Sequence, residues 1–237
     1  MASFTTLEDP ALTGPSFCSK WTIAQVLSHL GSGAEIGMLR LHAALDNDSP
    51  PQLNVLRAIW DRWDAASPRE QAQWALKEDA RYLEMVSQLD EGQAKTVKTQ
   101  ILGSEASIYD LLAFRLLEHV LHVWDMQVVG NPEAVLARDA VELLLDPLAM
   151  LAGRIAKIPE DSSAKDLHLR VRTVNPESLW EVSLSGSQLS VERLDPVASP
   201  QALVLPAETW IRLVTGRLKE SEKTEELRGL ARIFPGY

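Results

Sequence analysis

Residues 110–129 read DLLAFRLLEHVLHVWDMQVV, and this stretch decides the fold. Leu111, Leu112, Phe114, Leu116, Leu117, Val120, Leu121, Val123 and Trp124 make it apolar on most sides. A helix apolar nearly all round is usually a buried one. Ser107 with Asp110 marks its start, and Gly130-Asn131-Pro132 its stop. Within it Arg115, Glu118, His122 and Asp125 recur at spacings of three, four and three. At about 100° per residue these four share one narrow stripe.

Outward from that stretch, apolar residues keep helical spacing up to about residue 160 and alternate after it. Residues 22–45 form a first long helix, with Val26, Leu30, Ala34 and Leu41 near one face. A second covers about 53–66. Ser67-Pro68-Arg69-Glu70 begins a third that runs to about Leu89, because the serine can cap the amide three residues on and Pro68 needs no donor there. A further helix after Pro132 is expected to be interrupted at Pro147. From residue 166, Leu167, Leu169 and Val171 alternate with His168, Arg170 and Arg172; Trp180, Val182 and Leu184 form a second strand, and Leu189 and Val191 a third after a turn at Ser185-Gly186. Pro206 opens another helix. The expected architecture is a helical bundle over residues 1–160 and a small α+β domain over 161–237, joined by the polar run Pro159-Glu160-Asp161-Ser162-Ser163.

Composition narrows the function. The 237 residues are 46% hydrophobic and 24% charged, as in an ordinary soluble globular protein. With 23 Lys and Arg against 33 Asp and Glu, the formal charge is −10, which repels phosphate backbones and anionic lipid. Neither nucleic acid nor a membrane surface is an expected partner. The opening MASFTTLEDPALTG has no basic start or apolar run, so no signal peptide is expected. The run around residues 141–158 is broken by Glu142, Asp146, Pro147 and Arg154 and does not span a bilayer. The single Cys18 cannot form an internal disulfide. These features point to a cytoplasmic chain, as a monomer or small homo-oligomer.

The polar stripe needs a reason, because buried ionisable groups are costly unless paired or bound to metal. Glu118 and His122 can aim at one point, and carboxylate with imidazole is an ordinary ligand pair for a divalent metal. The plainer alternative is two intrahelical ion pairs, Arg115–Glu118 and His122–Asp125, on a wetted face. His119 could replace Glu118 as ligand, and spacing alone does not choose. His29 on the first helix is the best third ligand, although a lone histidine is more often a satisfied core residue. Its helix carries Gly31, Gly33 and Gly37, each costing about 1 kcal/mol against alanine. Either close helix packing or open space above a site accounts for them. His42 lies off the His29 face, and His168 alternates with arginines on a solvated strand face.

The segment Pro15-Ser16-Phe17-Cys18-Ser19-Lys20-Trp21-Thr22 through His29-Leu30 resembles the first motif of the mycothiol-dependent maleylpyruvate isomerase family, in which a Trp precedes a helix and a His eight residues later binds metal. Glu118, His122 and Asp125 resemble its second motif. The segment from Asp166 to Tyr237, with Thr215-Gly216-Arg217 and Phe234-Pro235-Gly236-Tyr237, looks like the small sterol-carrier-like domain that many members carry after a DinB-like four-helix bundle. The resemblance makes His29, Glu118 and His122 the metal ligands and His119 a bystander. It also implies an arginine in the C-terminal domain that holds an anionic substrate. Arg217 is the best match and Arg212 a rival; an arginine bonding the last carbonyls of a helix is the plainer alternative.

Two histidines and a carboxylate leave a divalent metal open positions, as a catalytic site requires; zinc is favoured, and non-haem iron accepts the same set. The open position can hold a thiol as thiolate or activate water. The resemblance implies the first, with mycothiol as cosubstrate attacking a small electrophile, in an isomerase or a thiol transferase. Asp125 then orients a ring or the thiol. Arg40 and Arg115 could bind an anionic substrate or merely balance charge, and Cys18 is expected to pack. The reading from another class is a non-enzymatic binder of a small or lipidic ligand on the same scaffold.

Overall fold

Helix starts in the N-terminal half are fixed by one local device. Thr22, Ser67, Asp90 and Ser107 each accept from the backbone amide three residues on, and the side chains of Gln25, Glu70, Gln93 and Asp110 reach back to the cap amide. Each reciprocal pair satisfies two donors that a helix start otherwise leaves open. The computed structural model describes residues 8–101, 103–158, 166–195 and 202–236. Its elements, in order, are α1 (Asp9–Leu12), α2 (Ile23–Leu45), α3 (Leu53–Asp64), α4 (Pro68–Ser87), α5 (Glu91–Thr96), β1 (Lys98–Ile101), β2 (Ser104–Ser107), α6 (Ile108–Gln127), α7 (Arg138–Ile155), β3 (Asp166–Val174), β4 (Ser178–Ser185), β5 (Gln188–Leu194), β6 (Leu203–Pro206), α8 (Ala207–Val214) and α9 (Glu225–Ile233). They form two compact units that part between Ala134 and Val135.

In the first unit the long helices α2, α3, α4 and α6 make the expected four-helix bundle, with α2 packed on the other three. Leu27, Leu30, Leu56, Ile59, Trp63, Ala72 and Ala75 form one part of its core; Ala34, Leu41, Tyr82, Ile108 and Leu111 form another. The glycines of α2 have a packing reason. A Cβ on Gly31 would run into the Trp63 ring and lie 2.8 Å from Ala75 Cα, and one on Gly37 would lie 2.8 Å from the Tyr82 ring. Gly33 meets only the Arg115 guanidinium, at 3.0 Å. The antiparallel hairpin β1–β2, which no sequence pattern announced, joins α5 to α6.

The second unit holds a sheet in the order β5-β4-β3-β6, antiparallel except for the β3–β6 pair. Val171, Trp180, Val182 and Leu184 are buried on one face together with Trp210, Ile211 and Leu213 of α8. The other face carries charge: Arg170 and His168 both reach Glu181, at 3.1 and 3.3 Å, so His168 sits on a solvated face as expected. Helix α7 packs on α8 and β5. The compact units therefore part some 25 residues ahead of the boundary expected at 160, and the polar linker of residues 159–163 lies outside the described residues. The expected break at Pro147 is absent, and α7 runs through it. Proline removes the bond to the carbonyl of Leu143, a residue on the exposed face where water can replace it. Thr215-Gly216-Arg217 meets Pro235-Gly236: Gly216 has φ +70°, and a Cβ there would collide with Gly236.

Candidate metal centre

Three side chains from two helices converge. His29 projects from α2, and Glu118 and His122, one turn apart, from α6. His29 Nε2 lies 3.1 Å from Glu118 Oε2, and His122 Nε2 lies 3.7 Å from the same oxygen. One ligand atom from each lies within 4.8 Å of the others. Two nitrogen or oxygen ligands at about 2.0–2.2 Å from a tetrahedral zinc are about 3.4 Å apart, so the observed spacings match the donor set of a divalent cation. Burial alone would push the Glu118 carboxyl up. The hydrogen bonds and charge of His122 and His29 outweigh it and hold the group well below the usual carboxylate range, so it is ionised near neutral pH as a ligand must be.

The opposite edge of His122 is held as tightly. Its Nδ1 lies 2.8 Å from Asp125 Oδ2, and Asp125 has no solvent exposure. With Asp125 accepting from Nδ1–H, Nε2 is the ring atom that faces Glu118 and can meet a cation. Cys18 Sγ donates to the same oxygen at 3.2 Å. The Trp21 ring, 37% exposed, packs beside both imidazoles, 5.0 Å from the His29 ring and 5.9 Å from that of His122.

The other stripe residues go elsewhere. His119 turns its Nδ1 toward Asp79 of α4, at 3.6 Å, and burial lowers its pKa. Arg115 does not pair with Glu118 in the way the two-ion-pair reading required. It donates to the Leu30 carbonyl at 2.7 Å and to Asp79 at 3.3 Å, beside the Tyr82 ring. His122–Asp125, by contrast, does form within the helix. Arg40 is half-buried on α2, eleven residues or about 16 Å of helix beyond His29, and burial lowers its pKa. In the second unit, buried Arg217 donates to the Thr215 carbonyl at 3.0 Å. Arg212 is clamped by Glu208 and Glu222, each at 2.6 Å. Asp79 and the contact of Cys18 were missed by sequence reasoning, since no pattern links residues about 40 and 107 positions from their partners.

A family model described as the mycothiol maleylpyruvate isomerase N-terminal domain matches residues 2–127, more than half of the chain, including His29, Glu118 and His122. The chain belongs to the mycothiol-dependent maleylpyruvate isomerase family. Crystal structures of the mycothiol-dependent maleylpyruvate isomerase, one of them a histidine-to-alanine mutant, are similar at 14% and 13% identity. Each superposes with a TM-score of 0.65 over 95% of this chain and 88% of the other. At that identity the likeness establishes the fold, a helical bundle followed by a small sheet domain. A comparison with curated proteins finds no match. Among the described residues, no helix of this family member is long and apolar enough to cross a membrane.

Proposed function

We propose that this chain binds one divalent cation, zinc in the first instance, through His29, Glu118 and His122, and catalyses a mycothiol-dependent reaction on a small electrophile, as an isomerase or a thiol transferase. The observation that carries the proposal is the convergence of two imidazoles on one ionised carboxylate at ligand spacing. A cation bound there lowers the pKa of a coordinated thiol, so that a nucleophilic thiolate is available near pH 7.

The chain's own groups prepare that chemistry. Glu118 supplies the negative charge that a bound cation needs, while the imidazole nitrogens of His29 and His122 complete three ligands and leave positions open. Asp125 holds the proton of His122 on Nδ1 and fixes the ring's orientation. The indole of Trp21 packs beside both imidazoles and limits the orientations open to their rings.

Metal content of the untagged protein tests the ligand set. About one divalent ion per chain is expected in the parent and in His119→Ala. His29→Ala, Glu118→Ala and His122→Ala should lose tight binding while keeping their helical content. Full occupancy in His122→Ala, or loss in His119→Ala with retention in Glu118→Ala, would overturn the assignment.

A further inference from the structure

Cys18 was expected to be packing, but its surroundings are a built device. The loop before α2 is closed by a bridge between Pro15 and Thr22, by Ser16 Oγ donating to the Trp21 carbonyl at 2.8 Å, and by the Trp21 amide donating to the Cys18 carbonyl at 2.8 Å. It is docked on α6 by the Phe17 amide, which donates to the Asp125 carbonyl at 2.9 Å near the helix end, and by the Phe17 ring 4.9 Å from that of Trp124. Cys18 therefore has little freedom, and its thiol is delivered to Asp125 Oδ2, the oxygen that already takes the proton of His122.

We infer that Cys18 is a positioning residue for the metal centre: through its hydrogen bond to Asp125 it fixes the carboxylate that in turn fixes the tautomer and ring orientation of His122. The inference rests on the cation site proposed above. Cys18, His122 and Asp125 are themselves close enough to be a second ligand group, with Sγ 3.9 Å from Nδ1. Their spacing argues for hydrogen bonding instead. Nδ1 and Oδ2 are 2.8 Å apart, a direct bond length and shorter than the about 3.4 Å between two ligands of one tetrahedral ion. A carboxylate with no solvent exposure needs donors on its lone pairs, and the thiol supplies one from outside the helix. With the thiol removed, that oxygen can rotate toward other donors and the hold on Nδ1–H loosens. Loss of the carboxylate partner itself typically weakens metal binding about 10–100-fold, and the thiol, one bond further out, acts at the low end of that range.

The test compares the full-length parent, Cys18→Ser and Cys18→Ala by two readouts. Zinc affinity is measured by chelator competition, and the His122 tautomer in metal-free protein by nitrogen-15 NMR. Cys18→Ala should bind zinc about tenfold more weakly and show a mixture of His122 tautomers. Cys18→Ser, whose hydroxyl can donate to the same oxygen, should recover most of both. If Cys18→Ala keeps parental affinity and a pure Nδ1–H tautomer, or if serine restores no more than alanine, the positioning role is wrong. If the parent binds no zinc, the cation site fails while the tautomer readout still decides whether Cys18 acts through Asp125.

Discussion

Replacing Gly31 by alanine tests whether the glycines of α2 exist for close packing. An added Cβ would be 2.6 Å from Cζ3 of Trp63, where carbon atoms prefer about 3.5–4.0 Å. It would also be 2.8 Å from Ala75 Cα, which is α4 backbone. The Trp63 ring is buried and cannot slide freely, because its Nε1 donates to Glu35 at 3.0 Å and its carbonyl accepts from Gln71 at 3.0 Å. Overpacking costs about 1–3 kcal/mol where side chains can shift. Here a pinned ring and a helix backbone both block, so the top of that range applies. Alanine returns about 1 kcal/mol of helix propensity, leaving a net loss of about 2 kcal/mol and a Tm lowered by about 4–8 °C for a chain of this size. Gly33→Ala is the control. Its Cβ meets only the tip of the Arg115 side chain, at 3.0 Å, with no ring or backbone in the way, so its stability should stay within about 1 kcal/mol of the parent. Scanning calorimetry on the two variants gives both numbers. A folded Gly31→Ala as stable as the parent, or a Gly33→Ala less stable than Gly31→Ala, would refute the packing reading and restore open space as the reason.

Two further outcomes follow from buried polar groups. Burial pushes the Tyr82 hydroxyl up to about 12, and its Oη has no hydrogen-bond partner among the described residues. Its raised folded value contributes stability below about pH 10 that is lost as pH rises toward 12; in Tyr82→Phe this alkaline loss should shrink, with neutral-pH stability unchanged or higher in urea titrations. Arg212→Met leaves Glu208 and Glu222 facing each other without their shared cation, at a cost of about 3 kcal/mol. Because Arg212 holds the Glu222 carboxyl below its ordinary value, the parent's advantage should be full above that range and fade as pH falls through it; a gap of constant size down to pH 3 would contradict the pairing.

Local chemistry made much of the fold legible. The Ser67 and Ser107 starts, the buried stripe of α6 and the alternation of β3 and β4 are all properties of short windows, and each formed where its window placed it. What stayed hidden depends on partners far along the chain. The hairpin β1–β2 has four-residue strands with weak alternation, and α7 looks the same whether it joins a bundle or a sheet. The site divides in the same way. Glu118 and His122 share a helix face that periodicity reveals, whereas the turn of Arg115 and His119 toward Asp79, and the thiol of Cys18 on Asp125, are made by tertiary packing alone.

The central claim is an open cation site that takes a thiol, and cobalt-loaded protein tests it most directly. Added mycothiol should produce the strong charge-transfer absorption of sulfur coordination and release a proton near neutral pH. The band should vanish in His29→Ala and persist in Cys18→Ala at saturating metal, because the protein's own thiol is not the ligand. A cobalt protein that shows no sulfur band at saturating mycothiol would contradict the account.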